Sequence, residues 1–199
     1  MIEWEARYAE AEYAYGTEPN GFVQAMVDAI PAGPVLCLAE GQGRNAVFLA
    51  QCGHAVVAVD QSPTGLARAT ALASHRGVTI ATVVADLVDY QIEAGAWAGV
   101  VMIFAHLPPA LRADVHRRVV EGLRPGGAYV LEAYTPAQLA FGTGGPKDPE
   151  VLMTLERLRV ELAPLTLEVG REIEREVNEG AYHHGRAAVV QVLARKRPG

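Results

Sequence analysis

The stretch LCLAEGQGRNAVFLA, residues 36–50, passes from an apolar run through two glycines, Gly41 and Gly43, into a helical pattern. A short apolar run that breaks on glycine and resumes with helical spacing reads as strand, turn and helix. In such a turn the first N–H groups of the helix have no partner within the helix. Glycine lets another molecule come close to the backbone there. Taken alone, the turn is either a ligand seat or simply a tight bend.

The same alternation continues on both sides. The runs at 35–39, 54–60, 77–87, 97–105 and 128–134 read as strands. Helical patterns over 44–51, 62–73 and 108–123 interleave with them, the second having Ser62 at its cap and Pro63 at its first position. Alternation of this kind predicts an α/β fold with a parallel sheet. Two further runs, 167–177 and 186–196, are separated only by residues 178–185. That gap is too short for the crossover that parallel strands need, so an antiparallel C-terminal hairpin is expected. A helix is expected over 150–162, after a glycine-rich loop at 141–149. Before the first strand, Trp4, Arg7 and Tyr8 share one helical face, and Asn20 is placed to cap a helix over 22–30.

Composition narrows the function. A formal charge of −6 without any Lys/Arg-rich run argues against nucleic acid as the main partner. No apolar run reaches the ~18–20 residues of a membrane span, so no membrane partner is expected. The acidic, aromatic N-terminus does not resemble a secretion signal. The two cysteines, Cys37 and Cys52, form no C-x-x-C pair. They read as reduced thiols, and a cytoplasmic location is expected. The histidines lack ligand spacing, so no metal site is expected. Oligomeric state is left unassigned.

Two acids give the turn a ligand. Asp60 closes the second strand, where a carboxylate can accept from both hydroxyls of a ribose. Asp86 follows the third strand and can accept from an adenine amino group, with Leu87 packing nearby; it reads equally well as a turn acid. An adenosine-bearing ligand fits both. GQGRNA matches the dinucleotide pattern G-x-G-x-x-A. Against NAD, five parallel strands are followed by a hairpin where a dehydrogenase usually adds a sixth.

These features resemble the class I S-adenosylmethionine-dependent methyltransferases, whose first motif reads (D/E)-x-G-x-G-x-G. Cys37 and Ala39 stand where that motif carries its acid and first glycine, while Gly41 and Gly43 match. WEARY, YGTEPN, AEGQGRNAVFLA, VDQS, FAHLPP, EAYTPAQL and GTGGP narrow the likeness to a bacterial branch near the tellurite-resistance and thiopurine methyltransferases. The resemblance implies a Rossmann-like methyltransferase sheet with helices on both faces, in one domain spanning 1–199. Its parts would be a helical lid at 1–30, a cofactor core at 34–134, and a substrate-side helix with closing hairpin at 135–199. It implies S-adenosylmethionine as cofactor, held by Arg7, Tyr15, Ala39, Glu40, Gly41, Gly43, Asn45, Asp60, Gln61, Ser62, Asp86, Leu87, Phe104 and Ala105. His106, at the end of the fourth strand, would orient or deprotonate an acceptor, or else cap the next helix. His183 and Arg186 of the hairpin would face the substrate, or else form an exposed polar turn. The acceptor implied is a small molecule, either a metalloid oxyanion such as tellurite or selenite or a thiol-type compound. A nicotinamide-dependent oxidoreductase remains an alternative. So does a protein that binds S-adenosylmethionine without turning it over, which the departures at Cys37 and Ala39 would permit.

Overall fold

Successive residues of a strand point to opposite faces of its sheet, and β1 (Pro34–Leu38) is apolar on both. Val35 and Cys37 enter one buried cluster, and Leu36 and Leu38 enter the other. Such a strand belongs in the middle of a sheet covered on both sides. The computed structural model describes residues 4–10, 13–180 and 183–198, with His183 by its backbone alone.

Seven strands lie in the order β3-β2-β1-β4-β5-β7-β6. Strands β2 (Ala55–Asp60), β3 (Ala81–Val84), β4 (Trp97–Ile103) and β5 (Leu123–Tyr134) run parallel with β1. β6 (Leu165–Glu179) and β7 (His183–Lys196) close the sheet as the expected hairpin, β7 pairing antiparallel with both β5 and β6. Helix α2 (Gly21–Met26), α3 (Arg44–Gln51) and α4 (Pro63–His75) cover one face, contributing Phe22, Val47, Leu49, Leu66 and Leu72 to its cluster. Helix α5 (Pro109–Gly122) and α6 (Leu155–Glu161) cover the other through Val115, Val119 and Leu158. Helix α1 (Trp4–Glu10) lies near α4, above the C-terminal ends of the strands.

Some elements differ from the sequence reading. β3 is four residues long and exposed along its length, not the run 77–87. Between β3 and β4, where the sequence shows no helical pattern, residues 85–96 cross as turns and loop. Arg118 on α5 anchors that crossing, donating from Nη2 to the Leu87 carbonyl at 2.6 Å and from Nη1 to the Tyr90 carbonyl. The helix expected over 150–162 shortens to α6 because Thr154 caps it, its hydroxyl accepting from the Arg157 N–H at 3.3 Å.

A buried polar network ties the ends of the chain to the core. Asn20 caps α2, Oδ1 accepting from the Phe22 and Val23 N–H groups at 2.9 and 3.2 Å. Its Nδ2 donates to Glu132 on β5 at 2.8 Å and to Glu179 on β6 at 3.0 Å. Arg175 pairs with both acids, and Arg44 donates to Glu179 at 2.6 Å. Two carboxylates and two guanidinium groups thus neutralise one another where water is largely excluded, as buried charge requires.

Candidate functional site

Strand order reverses between β1 and β4: the chain leaves β1 for β2 on one side and reaches β4 on the other. A crevice opens at the C-terminal ends of strands at such a point. Here it is a cavity of about 270 Å³ roofed by Trp4, Tyr8, Tyr15 and Gly16. The two non-glycine residues with positive φ among those described both line it: Ala39, at +51°, follows β1, and Phe104, at +53°, follows β4. Ala39 therefore adopts the left-handed conformation for which glycine is the usual residue.

Asp60, at the end of β2, is buried and lines the cavity. Its Oδ2 accepts from the Gly41 N–H at 2.8 Å and its Oδ1 from the Ser62 N–H at 2.9 Å. The Gln61 N–H bonds to it as well; of the about four lone-pair sites of a carboxylate, one remains for a ligand. Burial raises its pKa, opposed by the N–H groups of Ser62, Gly41 and Gln61. Gln61, Asp86, Leu87 and Val88 continue the wall at this end. Asp86 turns the chain there, its Oδ1 accepting from the Val88 N–H at 2.9 Å.

In the turn after β1, Glu40 folds back over the start of α3. Its Oε1 accepts from the N–H groups of Asn45 at 2.9 Å and Ala46 at 2.8 Å. Burial pushes its pKa up to about 7. Asn45 lines the cavity and also accepts from the Asn20 N–H at 2.9 Å. Arg44 lines the cavity as well, and its Nη1 is buried without a hydrogen-bond partner.

At the β4 end the wall is Ile103, Phe104, Ala105, His106, Leu107 and Leu111. His106 Nε2 accepts from the Tyr134 N–H at 3.0 Å, and the ring also bonds to the Phe104 backbone. Burial lowers its pKa to about 4. It is therefore neutral near pH 7, with both nitrogens committed to the chain. Phe104 packs on Tyr134 with ring centroids 4.6 Å apart, and His106 stacks on Tyr134 at 5.5 Å.

Helix α1 is fastened over this crevice. The Ser62 and Thr64 hydroxyls donate to the Glu5 carboxylate. A Cβ at Gly41 would lie 2.4 Å from the Tyr8 hydroxyl oxygen, so Tyr8 sits directly on the turn. Arg7 Nη1 donates to the Tyr15 hydroxyl at 3.0 Å.

Among the residues expected to hold a cofactor, Tyr15, Ala39, Glu40, Asn45, Asp60, Gln61, Asp86, Leu87, Phe104 and Ala105 line the cavity, as does His106. Arg7, Gly41, Gly43 and Ser62 stand behind it. Ser62 positions Asp60 and caps α4, and Gly43 lets α4 approach, since a Cβ there would lie 2.5 Å from that of Ala69. Arg186 is not brought to the cavity. It pairs with Glu174 at 2.5 Å and lies over the Phe141 ring. The His183 side chain lies outside the described residues. Trp4, Gln42, Arg44, Leu107 and Leu111 line the cavity and were not expected from the sequence. Among the described residues no cluster of metal-ligating side chains forms, and no helix is long and apolar enough to cross a membrane.

Residues 35–127 match a family model described as a methyltransferase domain. The 2-heptyl-1-hydroxyquinolin-4(1H)-one methyltransferase of Mycobacteroides abscessus is 29% identical over 125 residues, which cover 60% of this chain and 55% of that protein. A carboxy-S-adenosyl-L-methionine synthase of Geobacter metallireducens is 33% identical over 93 residues, 45% of this chain and 36% of that protein. The chain thus spans about half the length, or less, of these curated relatives. Among solved structures, TehB from Haemophilus influenzae superposes with a TM-score of 0.73 at 19% identity, covering 89% of this chain and 62% of that one. A structure described for the conversion of a disulfide bond into a thioacetal group during echinomycin biosynthesis superposes with a TM-score of 0.80 at 20% identity, covering 98% and 90%. The fold is that of the class I S-adenosylmethionine-dependent methyltransferases.

Proposed function

We propose that this chain is an S-adenosylmethionine-dependent methyltransferase acting on a small molecule. The observation that carries the reading is Asp60: a buried carboxylate at the end of β2, bonded to the Gly41 N–H and open to the cavity. It would take a ribose hydroxyl, and Asp86 and Leu87 the adenine. The turn after β1 would take the amino-acid tail. The group, when bound, supplies a methyl carbon to a nucleophile aligned with its carbon–sulfur bond, a reaction in which positioning supplies much of the rate.

The remaining wall, with Trp4, Tyr15, Phe104, His106, Leu107 and Leu111, suits a flat, weakly polar acceptor. Because both ring nitrogens of His106 are engaged, we assign it to holding this wall rather than to proton removal. The acceptor would bring a nucleophile that needs little help: a thiol, an acidic hydroxyl or a reduced metalloid. The M. abscessus relative, named for a hydroxyquinolone, supports the flat acceptor. TehB supports testing tellurite and selenite.

Calorimetry with S-adenosylhomocysteine tests the donor. Micromolar binding is expected, weakened about tenfold or more in Asp60→Ala, with NADH silent. No heat with S-adenosylhomocysteine would reject the reading. A labelled-methyl screen over hydroxyquinolones, thiols, tellurite and selenite then separates turnover from silent binding.

A further inference from the structure

The N-terminus of the helix after β1 is where α/β proteins seat a phosphate, because free N–H groups and the helix dipole converge there. In this chain that seat is filled. The Asn45 and Ala46 N–H groups, in the first turn of α3, both donate to Glu40 Oε1. A pyrophosphate would have to displace a carboxylate or stand beside one. Both bonds fall on one oxygen, and Glu40 faces the cavity, so its second oxygen can meet a ligand. A carboxylate held at this point turns an anion seat into a cation seat.

A second charge lies nearby. Arg44 directs Nη2 to Glu179 at 2.6 Å, while Nη1 has no partner and is cut off from water. Its side chain is only 10% exposed, and an unsatisfied guanidinium N–H₂ in such a place is costly. Seating a ligand under Tyr15 and Gln42 would bring an acceptor to this wall.

We propose that Glu40 and Arg44 form the seat for a zwitterionic amino-acid tail, Glu40 taking the ammonium and Arg44 Nη1 the carboxylate. Glu40 is then the residue that selects S-adenosylmethionine over a dinucleotide. The inference rests on the methyl-donor reading above and adds to it. The acid missing at Cys37 is supplied three positions later, on the other limb of the turn. The raised pKa of Glu40 agrees: burial outweighs the Arg44 charge and the Asn45 and Ala46 N–H groups, so a ligand's ammonium would add what the charged form lacks.

The test compares two ligands that share adenosine and sulfur, S-adenosylhomocysteine and 5′-methylthioadenosine, which lacks the amino-acid tail. Wild type should bind S-adenosylhomocysteine at least about tenfold more tightly. Glu40→Gln, which keeps an oxygen to cap α3, should lose most of that preference while binding 5′-methylthioadenosine as before. Wild type should also bind the decarboxylated analogue of S-adenosylhomocysteine more weakly, a test that leaves the protein untouched. Arg44→Gln should erase the distinction between those two. Equal loss of both adenosine ligands in Glu40→Gln, or an unchanged preference, would overturn the assignment. Failure of wild type to bind either ligand would instead remove the methyl-donor reading beneath it.

Discussion

Glu40 makes the unliganded protein less stable than it needs to be, and the effect has a sign. Its folded pKa, about 7, lies above the ordinary 4.5 because burial disfavours its charge. The folded state therefore holds a proton between these values that the unfolded chain releases. Stability is complete below about pH 4.5 and declines as pH rises through 7. A shift of that size corresponds to about 3 kcal/mol at pH 8. Glu40 also opens onto the cavity, where water screens part of the effect, so a figure of about 1–3 kcal/mol is expected. Glu40→Gln keeps an acceptor for the Asn45 and Ala46 N–H groups but cannot ionise. Without ligand, the variant should match wild type near pH 5 and exceed it by about 1–3 kcal/mol at pH 8. Guanidinium unfolding followed by circular dichroism, at both pH values and after dialysis to remove ligand, measures the gap. Arg44, Tyr8, Asp60 and Cys37 are the other ionisable groups around the turn; burial raises Tyr8 and Cys37, so both stay protonated from pH 5 to pH 8 with or without the Glu40 charge. A gap that stays constant from pH 5 to pH 8 would refute the reasoning.

Three further outcomes are expected. Asn20→Ala removes two hydrogen bonds to buried carboxylates and the cap of α2, and should cost about 2–4 kcal/mol in denaturant unfolding; a loss under about 1 kcal/mol would mean the network rearranges without it. Gly41→Ala sets a Cβ at φ +63° against the Tyr8 hydroxyl, which should cost about 1–2 kcal/mol, displace α1 and shift the fluorescence of Trp4; an unchanged spectrum would contradict the packing of α1 on the turn. Burial pushes the Glu161 carboxyl up, but His116 and Arg112 override it and hold its pKa down to about 2. The stability it contributes is present above about pH 4.5 and lost as pH falls toward 2, so Glu161→Gln should flatten acid unfolding in that range, and an unchanged profile would count against the pairing.

The sequence displays what depends on neighbours along the chain and conceals what depends on distant ones. β1, β2 and β4 were legible because both faces of each are buried, which leaves continuous apolar runs. Asp60 was legible because strand, acid, serine cap and proline follow one another directly. Arg44 reads as an ordinary polar residue at the start of a helix. It becomes a buried wall of the cavity only because Glu179, 135 residues later, reaches it. Trp4, Leu107 and Leu111 likewise belong to the site through tertiary packing that no local period records. The crossing from β3 to β4 carries no periodic signal, and its geometry comes from Arg118 on α5 holding the Leu87 and Tyr90 carbonyls.

Strain lies on the two sides of the same crevice. A left-handed backbone costs a residue with a side chain about 1–2 kcal/mol, and Ala39 and Phe104 both accept it. Each is held by bonds that leave little choice. After Ala39, the Glu40 N–H donates to the Val59 carbonyl at 3.1 Å, so the chain must turn while still paired to β2. The Phe104 N–H donates to the Glu132 carbonyl at 2.7 Å, and His106 two residues on is bonded to the Tyr134 N–H. Strand pairing therefore pulls both chains to the rim and forces the sharp exits that open the cavity. Alanine at position 39 raises the local cost but leaves the path unchanged, since the pairing of β1 with β2 fixes that path. Motif departures at Cys37 and Ala39 are thus compatible with a working turn, because its shape is set by the sheet and its charge by Glu40.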